Sequence, residues 1–211
     1  MSSLADYLEK SPLIAILRGI KPEEVPDALK VLTGAGIRIV EVPLNSPQPL
    51  ESLRLLAAQA DGETLIGAGT VLTVDEVYAV AETGARLIVA PNADPAVIAR
   101  AKSLGLFCLP GVATPSEAFA ALKAGADGLK LFPAEALPPA VMKAWLAVLP
   151  AGTLLVPVGG ISTENMAGYV AAGASGFGIG SALYKPGVST AGLKERAENF
   201  TRRYGQIKRH P

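Results

Sequence analysis

A lysine interrupts the apolar segment DGLKLFP, in which residues 127–132 predict a β-strand. Successive strand side chains point to opposite faces, so Lys130 shares a face with Phe132 and opposes Leu129 and Leu131. An unperturbed lysine has a pKa of about 10.4, and burial or a neighbouring cation lowers it. A lysine made neutral in this way can attack a carbonyl carbon and form a Schiff base. The alternative is a strand-end lysine that extends its amine into water.

Two further charged residues belong to apolar segments. Arg18 ends LIAILRG on the face of Ile16, and Glu41 in IRIVEVPLN shares a face with Ile37 and Ile39. A carboxylate buried with isoleucines needs a cation beside it or a role in proton transfer. An arginine at the same place would lower the pKa of the lysine amine. The alternatives are a structural ion pair for the glutamate and a solvated rim position for the arginine.

Two glycine-bearing segments, VPVGGIS (156–162) and GFGIGSALY (176–184), end predicted strands. Glycines let backbone N–H groups approach an anion closely, and a following helix N-terminus adds favourable dipole charge. Together the two segments indicate a phosphate-binding place, whereas ordinary turns would need no ligand. Thr70 ends GAGT and could reach the same place or could instead cap a helix.

Composition excludes several classes of function. Half of the 211 residues are hydrophobic and the formal net charge is zero, so we expect no nucleic-acid partner. The apolar runs are too short to span a membrane and no signal-type segment is present, so we expect a cytoplasmic protein. Cys108 is the only cysteine and His210 the only histidine, which excludes an internal disulfide, most metal sites and every histidine-based triad.

The elements that must position these side chains are eight βα units. Apolar segments rich in Val, Ile and Leu recur roughly every twenty to twenty-seven residues, each followed by an amphipathic segment. We predict strands near residues 13–18, 37–43, 64–68, 86–90, 105–109, 127–132, 154–158 and 175–179. Residues 2–10 predict an additional N-terminal helix. The rhythm favours a single (β/α)₈ TIM-barrel domain over residues 1–211, and an open doubly wound sheet is the alternative.

Helix boundaries follow from capping residues. Ser46-Pro47, Asp94-Pro95 and Thr114-Pro115 each predict a helix start, and Glu117 completes a capping box with Thr114. Helices are expected to end at the glycines of TGAG (33–36), TGAR (83–86), AGAD (124–127) and AGAS (172–175).

The ordered motifs resemble those of the KDPG/KHG aldolases, class I enzymes that cleave 2-keto-3-deoxy-6-phosphogluconate (KDPG) or its galactonate epimer. The similarity covers nearly the whole chain. Its motifs are ILRGI (16–20), VEVPLNSP (40–47), LIGAGTVL (65–72), LKLFPAE (129–135), VGGI (158–161) and GIGS (178–181).

The resemblance implies roles for individual residues. It implies that Lys130 forms the Schiff base and that Glu41 is the general acid/base. The residues implied to hold the pyruvate-derived end of the substrate are Arg18 and Thr70. Those implied to bind the phosphate are Gly159, Gly160, Gly180 and Ser181, and those implied to line the pocket are Phe132 and Pro91. It also implies a homotrimer that needs no metal or other cofactor.

Two positions depart from the gluconate type of the family, which usually carries arginine at the position of Asn45 and threonine at that of Val158. The resemblance implies that Asn45 and Val158 are substrate-binding residues on the inner wall near the C4 hydroxyl group. The departure implies 2-dehydro-3-deoxy-6-phosphogalactonate as substrate, with pyruvate and D-glyceraldehyde 3-phosphate as products. The gluconate epimer and 4-hydroxy-2-oxoglutarate are alternative substrates. Two other functions remain open from the residues alone, a sugar-phosphate isomerase and a non-catalytic sensor of a phosphorylated acid.

Overall fold

Parallel strands and helices alternate along residues 3–209, the part of the chain that the computed structural model describes. The strands are β1 Leu13–Ile16, β2 Ile39–Pro43, β3 Leu65–Gly69, β4 Leu87–Val89, β5 Phe107–Leu109, β6 Gly111–Val112, β7 Leu129–Leu131, β8 Leu155–Pro157 and β9 Phe177–Ile179. Each predicted strand overlaps one of these, although β3 extends one residue beyond the predicted 64–68, and the two-residue β6 is additional. The α/β class is therefore confirmed.

One helix of the described part precedes β1, and the others follow the strands along the chain. They are α1 Leu4–Lys10, α2 Val25–Gly34, α3 Pro49–Gln59, α4 Val74–Ala81, α5 Pro95–Ser103, α6 Pro115–Lys123, α7 Pro139–Leu146, α8 Met166–Ala171 and α9 Thr190–Arg209. The first residue of the predicted helix 2–10 lies outside the described residues, as does His210. Within residues 3–209 no helix is long and apolar enough to cross a membrane.

The strands form two parallel sheets. Six strands curl in the order β5-β4-β3-β2-β1-β9, and three more form β6-β7-β8. A backbone bridge between Val158 and Gly178 joins β8 to β9, and Pro110 alone separates β5 from β6. The carbonyl of Pro110 accepts a hydrogen bond from the Lys130 N–H at 2.9 Å.

Apolar side chains separate into an outer and an inner cluster. The outer cluster lies between strands and helices and contains Leu129 and Leu131, as alternation predicts. The inner cluster lies against the opposite faces of the strands, and its buried members are Leu4, Tyr7, Leu8, Ile14, Ile16, Ile39, Leu65, Leu87, Val89, Leu109, Val156 and Val158. Helix α1 supplies the first three and so packs against one end of this cluster. Each fully buried aliphatic side chain contributes about 1.5–3 kcal/mol.

Two of the three predicted helix starts are confirmed. Asp94 accepts the Ala96 N–H and Thr114 forms a capping box with Glu117. The start at Ser46 is wrong, because α3 begins at Pro49 and the Ser46 hydroxyl accepts the Gly19 N–H instead, at 3.0 Å.

The predicted helix ends are confirmed. A glycine with positive φ follows each helix, namely Gly36, Gly84, Gly125 and Gly173 at 85°, 86°, 102° and 100°.

Two details of the inward faces differ from expectation. Ile37 belongs to the outer cluster rather than to the face of Glu41, because β2 begins only at Ile39. β1 ends at Ile16, so Arg18 lies in the following loop and is not part of the strand. Alternation along the sequence predicts which face of the sheet a side chain occupies only where the backbone is part of an extended strand.

Candidate active site

A cavity of about 490 Å³ opens at the carboxyl ends of the strands. Nine of the residues singled out from the sequence line it: Arg18, Glu41, Lys130, Phe132, Val158, Gly159, Gly160, Gly180 and Ser181. They come from loops and strands that are distant along the chain, so the fold brings these groups together as the strand-end argument predicts.

Lys130 projects from the centre of β7 into this cavity. Its partners in register are Gly111 on β6 and Val156 on β8, and only 5% of its surface is exposed. The amine lies 4.6 Å from the centroid of the Phe132 ring. Burial lowers the pKa of Lys130, the carboxylate of Glu41 opposes that shift, and the cation of Arg18 reinforces it. The surroundings therefore favour the neutral, nucleophilic amine.

Glu41 projects from β2 toward the same cavity and is 2% exposed. Its Oε2 atom has no hydrogen-bond partner among the described residues. Burial raises the pKa of Glu41 to about 7, although the cations of Lys130 and Arg18 act in the opposite direction. A carboxyl group with this pKa can both accept and release a proton near neutral pH.

Gly69, at the end of β3, provides the space in which the Glu41 carboxylate lies. A Cβ atom added at Gly69 would overlap Oε2 of Glu41 and would lie 2.6 Å from its Cδ. Strand β2, which carries Glu41, pairs with β3 at this point, and Pro43 lies opposite Gly69. Any larger residue at this position would displace the carboxylate.

Three sequence-predicted residues lie at the cavity end of the fold but are not among the residues that line the cavity. Thr70 follows Gly69 and has a φ of 56°, which is costly for a β-branched residue. Pro91 packs its carbonyl against Gly111, and Asn45 accepts a hydrogen bond from Arg18 Nη1 at 2.5 Å. Direct substrate contacts by these three residues stay predictions.

The two glycine turns lie on adjacent strand ends. Gly159 and Gly160 follow β8 with φ of 101° and 63°, and Gly180 and Ser181 follow β9. Among the described residues, the N–H groups of Gly160 and Ser181 donate no hydrogen bond to another protein group. Free N–H groups on adjacent turns can bind an anion.

A family profile and a related protein both match most of this chain. The sequence profile of the family described as "KDPG and KHG aldolase" matches residues 4–196. A probable 2-dehydro-3-deoxy-6-phosphogalactonate aldolase from Rhizobium meliloti (strain 1021) is 50% identical over 186 residues, which cover 88% of each protein.

The chain belongs to the KDPG and KHG aldolase family. The predicted resemblance is therefore confirmed, and so is the prediction of an aldolase.

Solved structures agree with this assignment of the aldolase fold. A structure described as native KDPGal has a TM-score of 0.93 and 44% identity, covering 95% of this chain and 97% of that one. The KDPG aldolase from Legionella pneumophila has a TM-score of 0.81 and 27% identity, with 98% of both chains covered. That Legionella enzyme was solved with pyruvate captured at low pH as a covalent carbinolamine intermediate.

Several residues that line the cavity of this aldolase were not predicted as site residues. Glu135 lies over the first glycine turn, with Oε2 at 2.5 Å from the place that a Gly159 Cβ would occupy. Lys185, in the loop after β9, is a third basic residue of the cavity besides Arg18 and Lys130. Glu135 is the last residue of the motif LKLFPAE and Lys185 lies four residues after GIGS, so proximity to a strand end is the signal that could have found them.

No group of three or more His, Cys, Asp or Glu side chains within residues 3–209 is arranged to hold a metal ion. The acidic and basic residues that line the cavity are two glutamates, two lysines and one arginine.

Proposed function

We propose that this chain is a class I aldolase that cleaves 2-dehydro-3-deoxy-6-phosphogalactonate to pyruvate and D-glyceraldehyde 3-phosphate. One observation carries the proposal: the amine of Lys130 is buried in an apolar wall, has a lowered pKa, and shares its cavity with the buried carboxyl of Glu41. A lysine that served only stability would not be placed there, because burial of its charge opposes folding.

Lys130 is the nucleophile of the proposed reaction. Its neutral amine attacks the C2 ketone to give a carbinolamine, and loss of water gives a protonated imine. The covalent carbinolamine of the Legionella enzyme supports this step. No metal or other cofactor is part of the proposal, because the imine itself withdraws electrons from the bond to be broken.

Glu41 is the proposed general acid/base. It removes the proton of the C4 hydroxyl group, directly or through a water molecule, as the C3–C4 bond breaks. The electron pair of that bond moves into the imine and gives an enamine, and the aldehyde departs. Protonation of the enamine at C3 and hydrolysis of the imine then release pyruvate and the free lysine.

Charged groups and glycine turns at the cavity support a defined orientation of the substrate. Arg18 and Thr70 are proposed to hold the carboxylate end, because a guanidinium binds a carboxylate through paired hydrogen bonds. The phosphate is proposed to lie on the turns that contain Gly159, Gly160, Gly180 and Ser181. Pro91 and Phe132 are proposed to line the wall between the two ends.

The choice of the galactonate epimer has two supports. The Rhizobium relative at 50% identity carries that name, whereas the Legionella KDPG aldolase is 27% identical. Asn45 and Val158 stand where the gluconate type usually has arginine and threonine. The epimers differ only at C4, so discrimination depends on contacts to one hydroxyl group.

Trapping with borohydride tests the nucleophile. Incubation with pyruvate and borohydride should leave a reduced adduct on Lys130, located by digestion and mass spectrometry. Lys130→Met should abolish the adduct, and Lys143→Met, on the helix α7, is the matched control that should retain it. An adduct on another lysine, or none, would contradict the proposed role.

The substrate is tested by parallel assays of pyruvate release from the two phosphorylated epimers, coupled to lactate dehydrogenase. The galactonate epimer should give the higher kcat/KM. Faster cleavage of the gluconate epimer would overturn the substrate assignment and leave the aldolase assignment intact.

The architecture and assembly are also proposals. We infer that the two sheets close into one eight-stranded barrel within a single domain, supported by the bridge between Val158 and Gly178 and by the bond from Lys130 N–H to Pro110. We infer further that the protein is cytoplasmic and a homotrimer. Exposed large apolar side chains, among them Leu72 and Phe119 at 44% and 45% exposure, support association, and light scattering should give three times the mass of the chain.

A further inference from the structure

The guanidinium of Arg18 is held by a residue outside the cavity. Its Nη1 donates to Oδ1 of Asn45 at 2.5 Å, across the gap between the loop after β1 and the loop after β2. Arg18 lines the cavity, whereas Asn45 is not among the lining residues. In this structure Asn45 therefore contacts Arg18 and does not line the cavity itself.

A second hydrogen bond joins the same two loops one residue further along. The backbone N–H of Gly19 donates to the hydroxyl of Ser46 at 3.0 Å, and Ser46 is 8% exposed. On the other side, a Cβ added at Gly19 would lie 2.7 Å from Cγ of Pro186, so the loop after β9 packs closely against it. The backbone at Arg18 is thus fixed from two sides, and Asn45 fixes the end of its side chain.

Fixing that end matters because Arg18 is exposed. An arginine side chain has high rotamer entropy, and binding must overcome it if the side chain is free beforehand. A guanidinium binds a carboxylate well only in a narrow range of orientations, so an arginine oriented in advance binds the same ligand more tightly.

We propose that Asn45 is a positioning residue that orients Arg18 toward the carboxylate of the substrate. The proposal rests on the proposed function, in which Arg18 binds that carboxylate. Asn45 would therefore affect affinity for the keto acid through Arg18 alone. A direct contact of Asn45 with a substrate hydroxyl group is the competing possibility, and the two give different results when Arg18 is absent.

A double-mutant cycle distinguishes them. Asn45→Ala should lower kcat/KM for cleavage about tenfold, mainly through KM, since a hydrogen bond to a charged group is lost. Arg18→Ala should have a larger effect, and adding Asn45→Ala to it should change kcat/KM less than about twofold. Asn92→Ala, an exposed asparagine in the loop after β4, is the control.

A second readout uses ligands that differ only in the carboxylate. The rate of borohydride-trapped imine formation should fall about tenfold with pyruvate in Asn45→Ala and change less than about twofold with pyruvamide, whose amide is neutral. A general structural effect would lower both rates equally and would overturn the proposal. Additive losses in the cycle would also overturn it, in favour of direct contact with the substrate.

A failure of the proposed function would give a different experimental result from a failure of the positioning role. If the wild-type protein forms no imine with pyruvate, the aldolase mechanism itself is wrong. If the wild-type protein forms the imine and cleaves the substrate but Asn45→Ala matches the wild type, only the positioning role is wrong.

Discussion

One buried carboxyl group lacks a hydrogen-bond partner at its Oε2 atom among the described residues. Glu41 is buried, and its pKa rises from 4.5 to about 7. A raised folded-state pKa means that its contribution to stability is fully present below pH 4.5 and is lost as the pH rises through about 7. Above neutral pH the protein holds a buried charge that lowers the free energy of unfolding.

The first prediction concerns Glu41→Gln. The amide cannot ionise, so the variant should be more stable than the wild type by up to about 3 kcal/mol at pH 8, with little difference at pH 5. Imine formation with pyruvate should be retained, and cleavage should fall about 10²–10⁴-fold because the acid/base group is lost. Denaturant unfolding at both pH values and a pyruvate-release assay check the two parts.

An equal gain in stability at pH 5 and pH 8 would show that the change acts through packing rather than through charge. Unchanged turnover would remove Glu41 from proton transfer. Glu63→Gln, an exposed glutamate, is the control and should leave stability and turnover unaltered.

The second prediction concerns Gly69→Ala. Its Cβ would overlap the Glu41 carboxylate, so we expect a loss of about 1–3 kcal/mol in stability and strongly reduced cleavage. Gly62→Ala is the matched control, because an added Cβ there meets nothing within 4 Å. Equal turnover in the two variants would contradict the close packing of Gly69 on Glu41.

At the residue scale, the sequence predicted that Lys130 and Glu41 point into the cavity, because period-two alternation in short apolar strands decides which side chains point inward. It did not predict that Asn45 holds Arg18 or that Glu135 lies over a glycine turn. Those contacts join loops that are far apart in sequence, and nothing local to either loop encodes them.

At the scale of elements, α1 packs against the inner cluster at the end away from the cavity. Leu4, Tyr7 and Leu8 all belong to that cluster, and a Cβ at Gly176 would lie 2.7 Å from Cδ2 of Leu8. The helix therefore stabilises the strands without approaching the proposed chemistry.

The third prediction follows from that separation. Leu8→Ala should lower the free energy of unfolding by about 2–5 kcal/mol, because a buried side chain leaves a cavity. KM and kcat at a temperature where the variant is folded should match the wild type. Glu9→Ala, exposed on the same helix, should change neither stability nor kinetics, and a kinetic change in Leu8→Ala alone would indicate coupling along the inner cluster.

Element boundaries were predictable where local capping decides them and not elsewhere. Thr114 and Asp94 start helices as expected because their side chains bond to N–H groups two or three residues away. Ser46 carries the same local signal, yet its hydroxyl bonds to Gly19 in another loop and the helix begins three residues later, at Pro49.

At the scale of the whole molecule, the two sheets meet where Val158 bridges Gly178. A Cβ at Gly178 would lie 2.6 Å from Cγ2 of Val158 and 3.2 Å from Cδ1 of Ile16, so β8 and β9 approach closely only because this residue is glycine. The number and order of the βα units were predictable from the rhythm of apolar segments. The limited backbone pairing between β8 and β9 was not predictable, because it depends on the contact between Gly178 and Val158.

The fourth prediction concerns that contact. Gly178→Ala should destabilise the protein by about 1–3 kcal/mol, because the added methyl group forces the strands apart. Gly205→Ala, on α9 with nothing within 4 Å of an added Cβ, should instead be neutral or stabilising by up to about 1 kcal/mol. Thermal unfolding of the two variants beside the wild type checks the difference, and equal melting temperatures would contradict it.

The glycine turns after β8 and β9 stand on opposite sides of this junction, one carried by each sheet. A phosphate bound by both turns would connect the two sheets at their carboxyl ends. It would lie next to the junction where an isolated backbone bridge joins β8 to β9. We therefore expect inorganic phosphate alone to slow amide hydrogen exchange in β8 and β9 more than in β2 and β3. Bound substrate would then hold β8 and β9 together while the proposed reaction takes place at the buried amine.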